Sequence, residues 1–334
     1  MQRWGHKGMG KPFLWIIDDE WDDYEREKAI FAEAFGEDGY ELAFSGPDTY
    51  LQDLTRYGEK ADALLTQIDI EVGAEEMKDL KRCKIISNYG TGYNNIDLQA
   101  AKQCGIAVGY IPGYCAEDIA DYVLSVLFRR FKPVAGFERV IRAGRWGASA
   151  LQEEVHRLRT KELFLVGFGS IARAVAKKAR AVGLQVSAWS PHLTPQVAEQ
   201  FGVLYRSLEE GLKTADVVSL HVRYDPATHH LIGKAELAMM KSDALLINTA
   251  RGGVLDTAAL VEAVKRGALG GGVLDVLEQE PPAPEDAVLS CEGIEVTPHI
   301  SYCSAEALGD LQRRAARNAA LVLQGKPGAD LVAV

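Results

Sequence analysis

The stretch LFLVGFGSIARAVAKKARAVGLQVSAW, residues 163–189, constrains this chain more than any other. It reads as strand, glycine turn, helix and strand, and a crossover helix between two strands makes them parallel neighbours in one sheet. Gly167 permits the tight turn, Gly169 lets the backbone approach a ligand group, and Ala172 is small enough for the helix to lie close on the strand. A parallel sheet buries both faces under helices, so the segment predicts an α/β, doubly wound architecture.

The same alternation runs through the rest of the chain. FLWII, a charged helix over 22–35, ELAF, a helix over 48–57, ADALLT and KIISN form a first series. Residues 117–131 carry apolar side chains at Ile119, Tyr122, Val123, Val126 and Leu127, and Pro133 follows, which predicts a long buried helix at the crossing between domains. ELFLVG, LQVSAW, DVVSLHV, ALLINTA, GGGVLDV and IEVTPHI then describe a six-stranded sheet, and 305–324 is an amphipathic helix expected to pack back on the first series. With 334 residues the chain is long enough for two cores. The expected fold is therefore two Rossmann-like or flavodoxin-like doubly wound domains with a cleft between them. Their boundaries are 12–115 plus 303–334 for a discontinuous substrate domain and 116–302 for a dinucleotide-binding domain, with 1–11 as a tail.

A net charge of -10 and a pI near 5.3 oppose a nucleic-acid partner. Cys83, Cys104, Cys115, Cys291 and Cys303 lack the spacing of a zinc site and read as reduced thiols, so no metal is expected. The apolar run from Phe13 to Ile17 is too short for a signal sequence and leads into acidic residues, and no run approaches the ~20 apolar residues of a membrane span. A soluble cytoplasmic protein with no membrane partner is the expectation.

A dinucleotide fits the first motif: its pyrophosphate would lie on the amides of the helix beginning at Ser170, with Phe168 and Ile171 flanking the turn. The second strand ends at Ser190, followed by Pro191 and His192. No carboxylate there holds a ribose hydroxyl or repels a 2'-phosphate, and no adjacent Arg binds one, so NAD and NADP both stay open. His221, at the end of DVVSLHV, is a candidate for the wall of the same pocket.

Three polar residues suit acid-base work on a 2-oxo acid. Arg251 emerges at the carboxyl end of ALLINTA, where a guanidinium grips a carboxylate and polarises the adjacent carbonyl; alone it would read as a surface Arg. Glu280, in LDVLEQEPP, alone would read as a solvated carboxylate. His299, in VTPHIS, is a proton donor for a carbonyl oxygen, and Glu280 is the candidate partner that orients it and favours its charged form. In SNYGTGYNNID, Gly90, Thr91 and Gly92 offer backbone amides to a substrate carboxylate, or else make a plain strand-to-helix turn. Tyr89, Tyr93 and Tyr114 are candidates to line the side-chain pocket.

GTGYNNIDLQAA, GYCAEDIADYVLSVL, VGFGSIARAVA, INTARGGVLD, GGVLDVLEQEP and TPHIS occur in one order, and through them the chain from Phe13 onward resembles the D-isomer-specific 2-hydroxyacid dehydrogenases. The resemblance implies an NAD(P)-dependent oxidoreductase that interconverts a 2-oxo acid and its D-2-hydroxy acid, usually as a homodimer. It implies that Arg251 binds substrate, that Glu280 supports His299 as the acid-base, and that the backbone of Gly90, Thr91 and Gly92 holds the substrate carboxylate. It further implies cofactor contacts from Thr249, Ala250, Arg251, Asp275 (to the nicotinamide amide) and His299. Ser190, Asn94 and Ser301 depart from the residues common in that family, and the retained Glu280 separates the chain from the formate dehydrogenase branch. GYCAEDIADYVLSVL is most similar to the branch holding C-terminal-binding-protein corepressors and bacterial dehydrogenase relatives. That supplies an alternative, a dinucleotide-sensing binding protein with little turnover.

Overall fold

The structure, a computed structural model, describes residues 10–21, 23–151 and 154–333. Most of the expected tail, residues 1–9, lies outside the described residues. The chain divides into two compact units, 1–114 with 304–334 and 115–303.

In the first unit, Phe13–Ile17 (β1), Glu25–Phe35 (α1), Glu41–Ser45 (β2), Tyr50–Tyr57 (α2), Ala63–Gln67 (β3), Ala74–Asp79 (α3), Ile85–Tyr89 (β4), Leu98–Cys104 (α4) and Ala107–Gly109 (β5) follow in order. The strands form one parallel sheet in the order β2-β1-β3-β4-β5. Along β1, Leu14 and Ile16 enter one core cluster while Trp15 and Ile17 enter another, so the period of two supplies an apolar layer on each face. The expected first helix is described from Glu25. Ahead of it the Asp18 carboxylate accepts the Glu20 and Trp21 amides, a local hydrogen-bonded turn that competes with helix.

The second unit begins with Ala116–Phe131 (α5) and Val134–Arg142 (α6). It continues through Glu162–Val166 (β6), Ser170–Ala181 (α7), Gln185–Trp189 (β7), Pro195–Gln200 (α8), Leu204–Tyr205 (β8) and Leu208–Thr214 (α9). Val217–Leu220 (β9), Lys234–Leu237 (α10), Leu245–Asn248 (β10), Thr257–Lys265 (α11), Gly271–Leu274 (β11) and Ile294–Val296 (β12) complete it. The sheet order is β12-β11-β10-β9-β6-β7-β8, all parallel, with seven strands where six were expected. The extra strand, β8, has two residues, too few to show any periodicity. The chain winds outward in both directions from the β6/β9 pair, and in such sheets ligands bind at the carboxyl ends beside this switch point.

Ala305–Leu323 (α12) returns to the first unit and packs on α1, β3 and β4. Leu311, Ala315, Ala316, Ala319 and Ala320 form its buried stripe, and the small side chains let Ser87 Oγ reach the Ala315 carbonyl at 2.9 Å. Among the described residues no helix is long and apolar enough to cross a membrane.

Candidate functional site

The second sheet delivers its candidate residues at one edge. Gly167 follows β6, Ser190 follows β7, His221 follows β9, Arg251 follows β10, Asp275 follows β11 and His299 follows β12, each just past the carboxyl end of a parallel strand. Continued ladder bonds hold them there: His221 donates to the Val166 carbonyl at 2.7 Å, Asp275 to that of Asn248 at 2.9 Å, and Thr297 to that of Leu274 at 2.9 Å.

At the glycine turn, Gly167 has φ +104°, and a Cβ there would stand 2.5 Å from the His221 carbonyl carbon. Only glycine meets both demands. Gly169 has open space around it and caps the twelve-residue α7 with no side-chain hydrogen bond, and the first turn of that helix has no acidic residue. By contrast α8, α9, α11 and α12 each have a side-chain cap. The start of α7 thus presents amides and a positive dipole end to an exposed surface at Gly169 and Ser170, which suits a pyrophosphate. Phe168 is buried against Phe201 below the turn, while Ile171 and Ser190 are half-buried beside it. Burial pushes His221 down to about 4, so its imidazole is neutral at pH 7, and its Nε2 lies 2.9 Å from Ser219 Oγ. Thr249 is buried with a hydroxyl that finds no hydrogen-bond partner among the described residues. An orphaned hydroxyl beside Ala250 and an open helix start on the same sheet edge are the features a dinucleotide would complete.

His299 and Glu280 are brought together. His299 Nδ1 lies 2.7 Å from Glu280 Oε2, and Glu280 Oε1 accepts the Leu277 amide at 2.7 Å. Both carboxylate oxygens are therefore engaged and the imidazole is oriented through one nitrogen, leaving Nε2 as the atom that can meet a substrate. Burial alone would raise the Glu280 carboxyl. The His299 hydrogen bond and charge, the Leu277 amide and the Arg251 charge outweigh burial and hold it below the ordinary value of 4.5.

Arg251 is brought to the same place by a turn the sequence motif only partly explains. Asn248 Nδ2 donates to the Arg251 carbonyl at 3.0 Å while Asn248 Oδ1 accepts the Ala250 amide at 3.0 Å, so one buried side chain braces both sides of the turn. Arg251 Nη1 donates to the Ala250 carbonyl at 2.7 Å. A Cβ on Gly252 would run into the Leu277 carbonyl, which shows how closely the Arg251 turn and the Glu280 loop approach, backbone to backbone.

His299 itself is strained, with φ +53°. Asp275, 1% exposed, holds the loop around it: Oδ1 accepts the Ile300 amide at 3.0 Å and Thr297 Oγ1 at 2.6 Å, Oδ2 accepts the Ser301 amide at 2.8 Å, and the Asp275 carbonyl accepts the His299 amide at 2.9 Å. The roles of Asn248 and Asp275 as braces were missed by motif reading. A polar residue at the carboxyl end of an apolar strand was the only available signal.

In the first unit the carbonyls of Gly90 and Gly92 are taken up by the Ile111 amide at 2.7 Å and by Asn88 Nδ2 at 2.6 Å, and Thr91 Oγ1 donates to the Ile111 carbonyl at 2.9 Å. The loop is thereby fixed, with Thr91 exposed. Tyr89 corrects an expectation: it is 2% exposed and its hydroxyl bonds Glu27, so it belongs to the core rather than to a pocket wall.

A histidine of positive φ paired with a carboxylate, and an arginine whose charge acts on that carboxylate, thus lie on the carboxyl edge of a doubly wound sheet, where open α/β folds bind ligands. The family model for the D-isomer specific 2-hydroxyacid dehydrogenase, NAD binding domain, matches residues 124–301, and this chain belongs to that family. It is 34% identical to a glyoxylate reductase of Thermococcus litoralis over 278 residues, 82% of this chain and 84% of the relative. It is 33% identical to a D-3-phosphoglycerate dehydrogenase of Archaeoglobus fulgidus over 77% of this chain and 48% of that relative. Among solved structures, a glyoxylate reductase from Paecilomyes thermophila superposes with TM-score 0.81 at 27% identity, covering 97% of this chain and 99% of that one. A D-lactate dehydrogenase from Aquifex aeolicus complexed with NAD and lactic acid superposes with TM-score 0.81 at 25% identity, covering 96% and 98%.

Proposed function

We propose that the protein interconverts a small 2-oxo acid and its D-2-hydroxy acid, with His299 as the acid-base, Glu280 as its partner and Arg251 as the substrate clamp. The observation that carries this reading is the 2.7 Å His299–Glu280 pair with Arg251 acting on the same carboxylate. Family membership and relatives named for glyoxylate and lactate support a small acid.

The dinucleotide, when bound, supplies or accepts the hydride. Gly167, Phe168, Gly169, Ser170 and Ile171 would hold its pyrophosphate end, Ser190 would face its ribose, and His221, Thr249 and Ala250 would line its course along the sheet edge. In the reduction direction His299 Nε2 gives a proton to the oxygen that was the 2-oxo group. Glu280 stabilises the imidazolium before transfer and keeps the ring oriented after it. Arg251 holds the carboxylate in its two-pronged grip and draws charge towards the carbonyl oxygen. The amides of Gly90, Thr91 and Gly92 are a second candidate anchor for a carboxylate.

NAD is the dinucleotide that the family assignment supports. Ser190 supplies no carboxylate against a 2'-phosphate, so NADH and NADPH are both assayed against 2-oxo acids from glyoxylate to bulky aryl acids. Turnover of a small acid supports the reading. Tight cofactor binding without turnover of any acid overturns it in favour of a dinucleotide-sensing binding protein. The proposal includes a homodimer: Val134, Ile141 and Trp146 are 63%, 53% and 84% exposed on and after α6, an apolar surface that pairing would cover. Light scattering that returns the monomer mass of 36.4 kDa would refute that part.

A further inference from the structure

We propose that Tyr122 and Thr297 are positioning residues for proton transfer at His299, acting through Asp275. The inference rests on the reading of His299 as the proton donor and adds to it the device that holds the donor in place.

His299 adopts a left-handed backbone that non-glycine residues avoid, so its loop stays in that conformation only if its surroundings over-determine it. Asp275 does this with three bonds from its carboxylate to the loop, and one of the three comes from a side chain that can rotate, Thr297 Oγ1 at 2.6 Å. A carboxylate only accepts, so the Thr297 hydroxyl donates to it, and its lone pairs are left to accept from elsewhere. Tyr122, on α5, lies with its hydroxyl 2.7 Å from Thr297 Oγ1 and must therefore be the donor. The directions of the chain follow: Tyr122 O–H donates to Thr297 Oγ1, Thr297 O–H donates to Asp275 Oδ1, and the Ile300 and Ser301 amides donate to the same carboxylate.

Three elements, α5 and the ends of β12 and β11, are linked by this relay within one compact unit. Asp275 is 1% exposed, so water competes little for its oxygens, and successive bonds in such a chain polarise one another. A phenylalanine would fill the space of the Tyr122 ring, so the hydroxyl is the part that packing does not require. Without it the Thr297 hydroxyl keeps only its bond to Asp275, and the loop from Thr297 to Ser301 is held less firmly around His299. Proton transfer is sensitive to displacements well under 1 Å, whereas binding of a carboxylate by Arg251 is not tied to this loop. The consequence falls on kcat.

The test compares the parent with Tyr122→Phe, Thr297→Val, Thr297→Ser and the Tyr122→Phe/Thr297→Val double variant. For each, kcat, KM, the cofactor Kd and the hydrogen exchange of the Ile300 and Ser301 amides are measured. Tyr122→Phe is expected to lower kcat about fivefold and Thr297→Val about twentyfold, the scale of losing one neutral and one charge-assisted hydrogen bond, with KM and cofactor Kd unchanged. Thr297→Ser, which keeps the hydroxyl, recovers most of the loss. The double variant is no worse than Thr297→Val, because both break one chain. A kcat within twofold of the parent in both single variants overturns the relay, as does a loss that appears in KM or cofactor Kd instead. Should the parent itself turn over no acid, the dehydrogenase reading fails, and amide exchange still decides the relay: faster exchange at Ile300 and Ser301 in both variants supports it and unchanged protection overturns it.

Discussion

Glu27 and Glu280 are glutamates of the same chain that the fold treats in opposite ways. Glu27, on α1, is fully buried; its Oε1 accepts the Tyr89 hydroxyl at 3.0 Å, and Oε2 has no partner among the described residues. Burial raises its carboxyl, and neither the Tyr89 hydroxyl nor the Arg26 charge offsets that. Glu280 loses only part of its water, its side chain staying 38% exposed, and the pull of His299, the Leu277 amide and Arg251 lowers its carboxyl. The difference lies in the partners: burial sets the sign at Glu27 despite the Tyr89 hydroxyl and the Arg26 charge, and it is overruled at Glu280 by two hydrogen bonds and two cations. Burial therefore disfavours the charged form of Glu27, while the surroundings of Glu280 favour its charged form.

The strongest way to break this comparison is His299→Ala. Turnover should fall by roughly 10²–10⁴-fold, the range for loss of a general acid, with cofactor affinity retained. Near-parental turnover would remove the acid-base reading altogether. Glu280→Gln should cost less, about tenfold to a hundredfold in kcat, because the amide still accepts a hydrogen bond but no longer stabilises the imidazolium. Glu27→Gln should leave kcat unchanged and raise stability at pH 7 by about 1 kcal/mol, since the amide carries no charge for burial to penalise. A fall in stability in denaturant titrations would overturn the upward shift of Glu27.

The pH dependence sharpens the contrast further. With its folded value raised, Glu27 contributes stability at low pH that is lost as pH rises from 4.5 through the folded value. With its folded value lowered, Glu280 contributes stability present above 4.5 that is lost as pH falls through the folded value. Stability curves of the two Gln variants, each subtracted from the parent, should slope in opposite directions; curves of the same slope would contradict the assignment. A further pH effect, on stability alone, is expected at His221. Its folded value of about 4 against an ordinary 6.5 means that stability declines as pH falls from 6.5 to 4, and His221→Asn should flatten that interval.

Much of the architecture was legible because a parallel sheet writes itself into the sequence as near-continuous apolar strands. FLWII, ELFLV and LLIN mark β1, β6 and β10 directly. What escaped was short or locally contested: β8 has two residues, and Asp18 captures amides ahead of α1. In the site, motifs single out Arg251, Glu280 and His299, whereas Asn248 shows only as a polar residue ending an apolar strand, and Tyr122 and Thr297 carry no signal of their own. Their hydroxyls and amides act only on atoms brought near by packing.

The sequence by itself determined the α/β class, the glycine turn at Gly167 and the identities of the three polar residues, because these depend on periodicity and residue type over short spans. Tertiary structure alone decided that His299 meets Glu280 at 2.7 Å across 19 positions, that Arg251 helps to lower Glu280, and that Tyr89 and Glu27 pair in the core across 62. A carboxylate's protonation is set by the charges and water within a few ångströms of it, and those are fixed only when distant strands come into register.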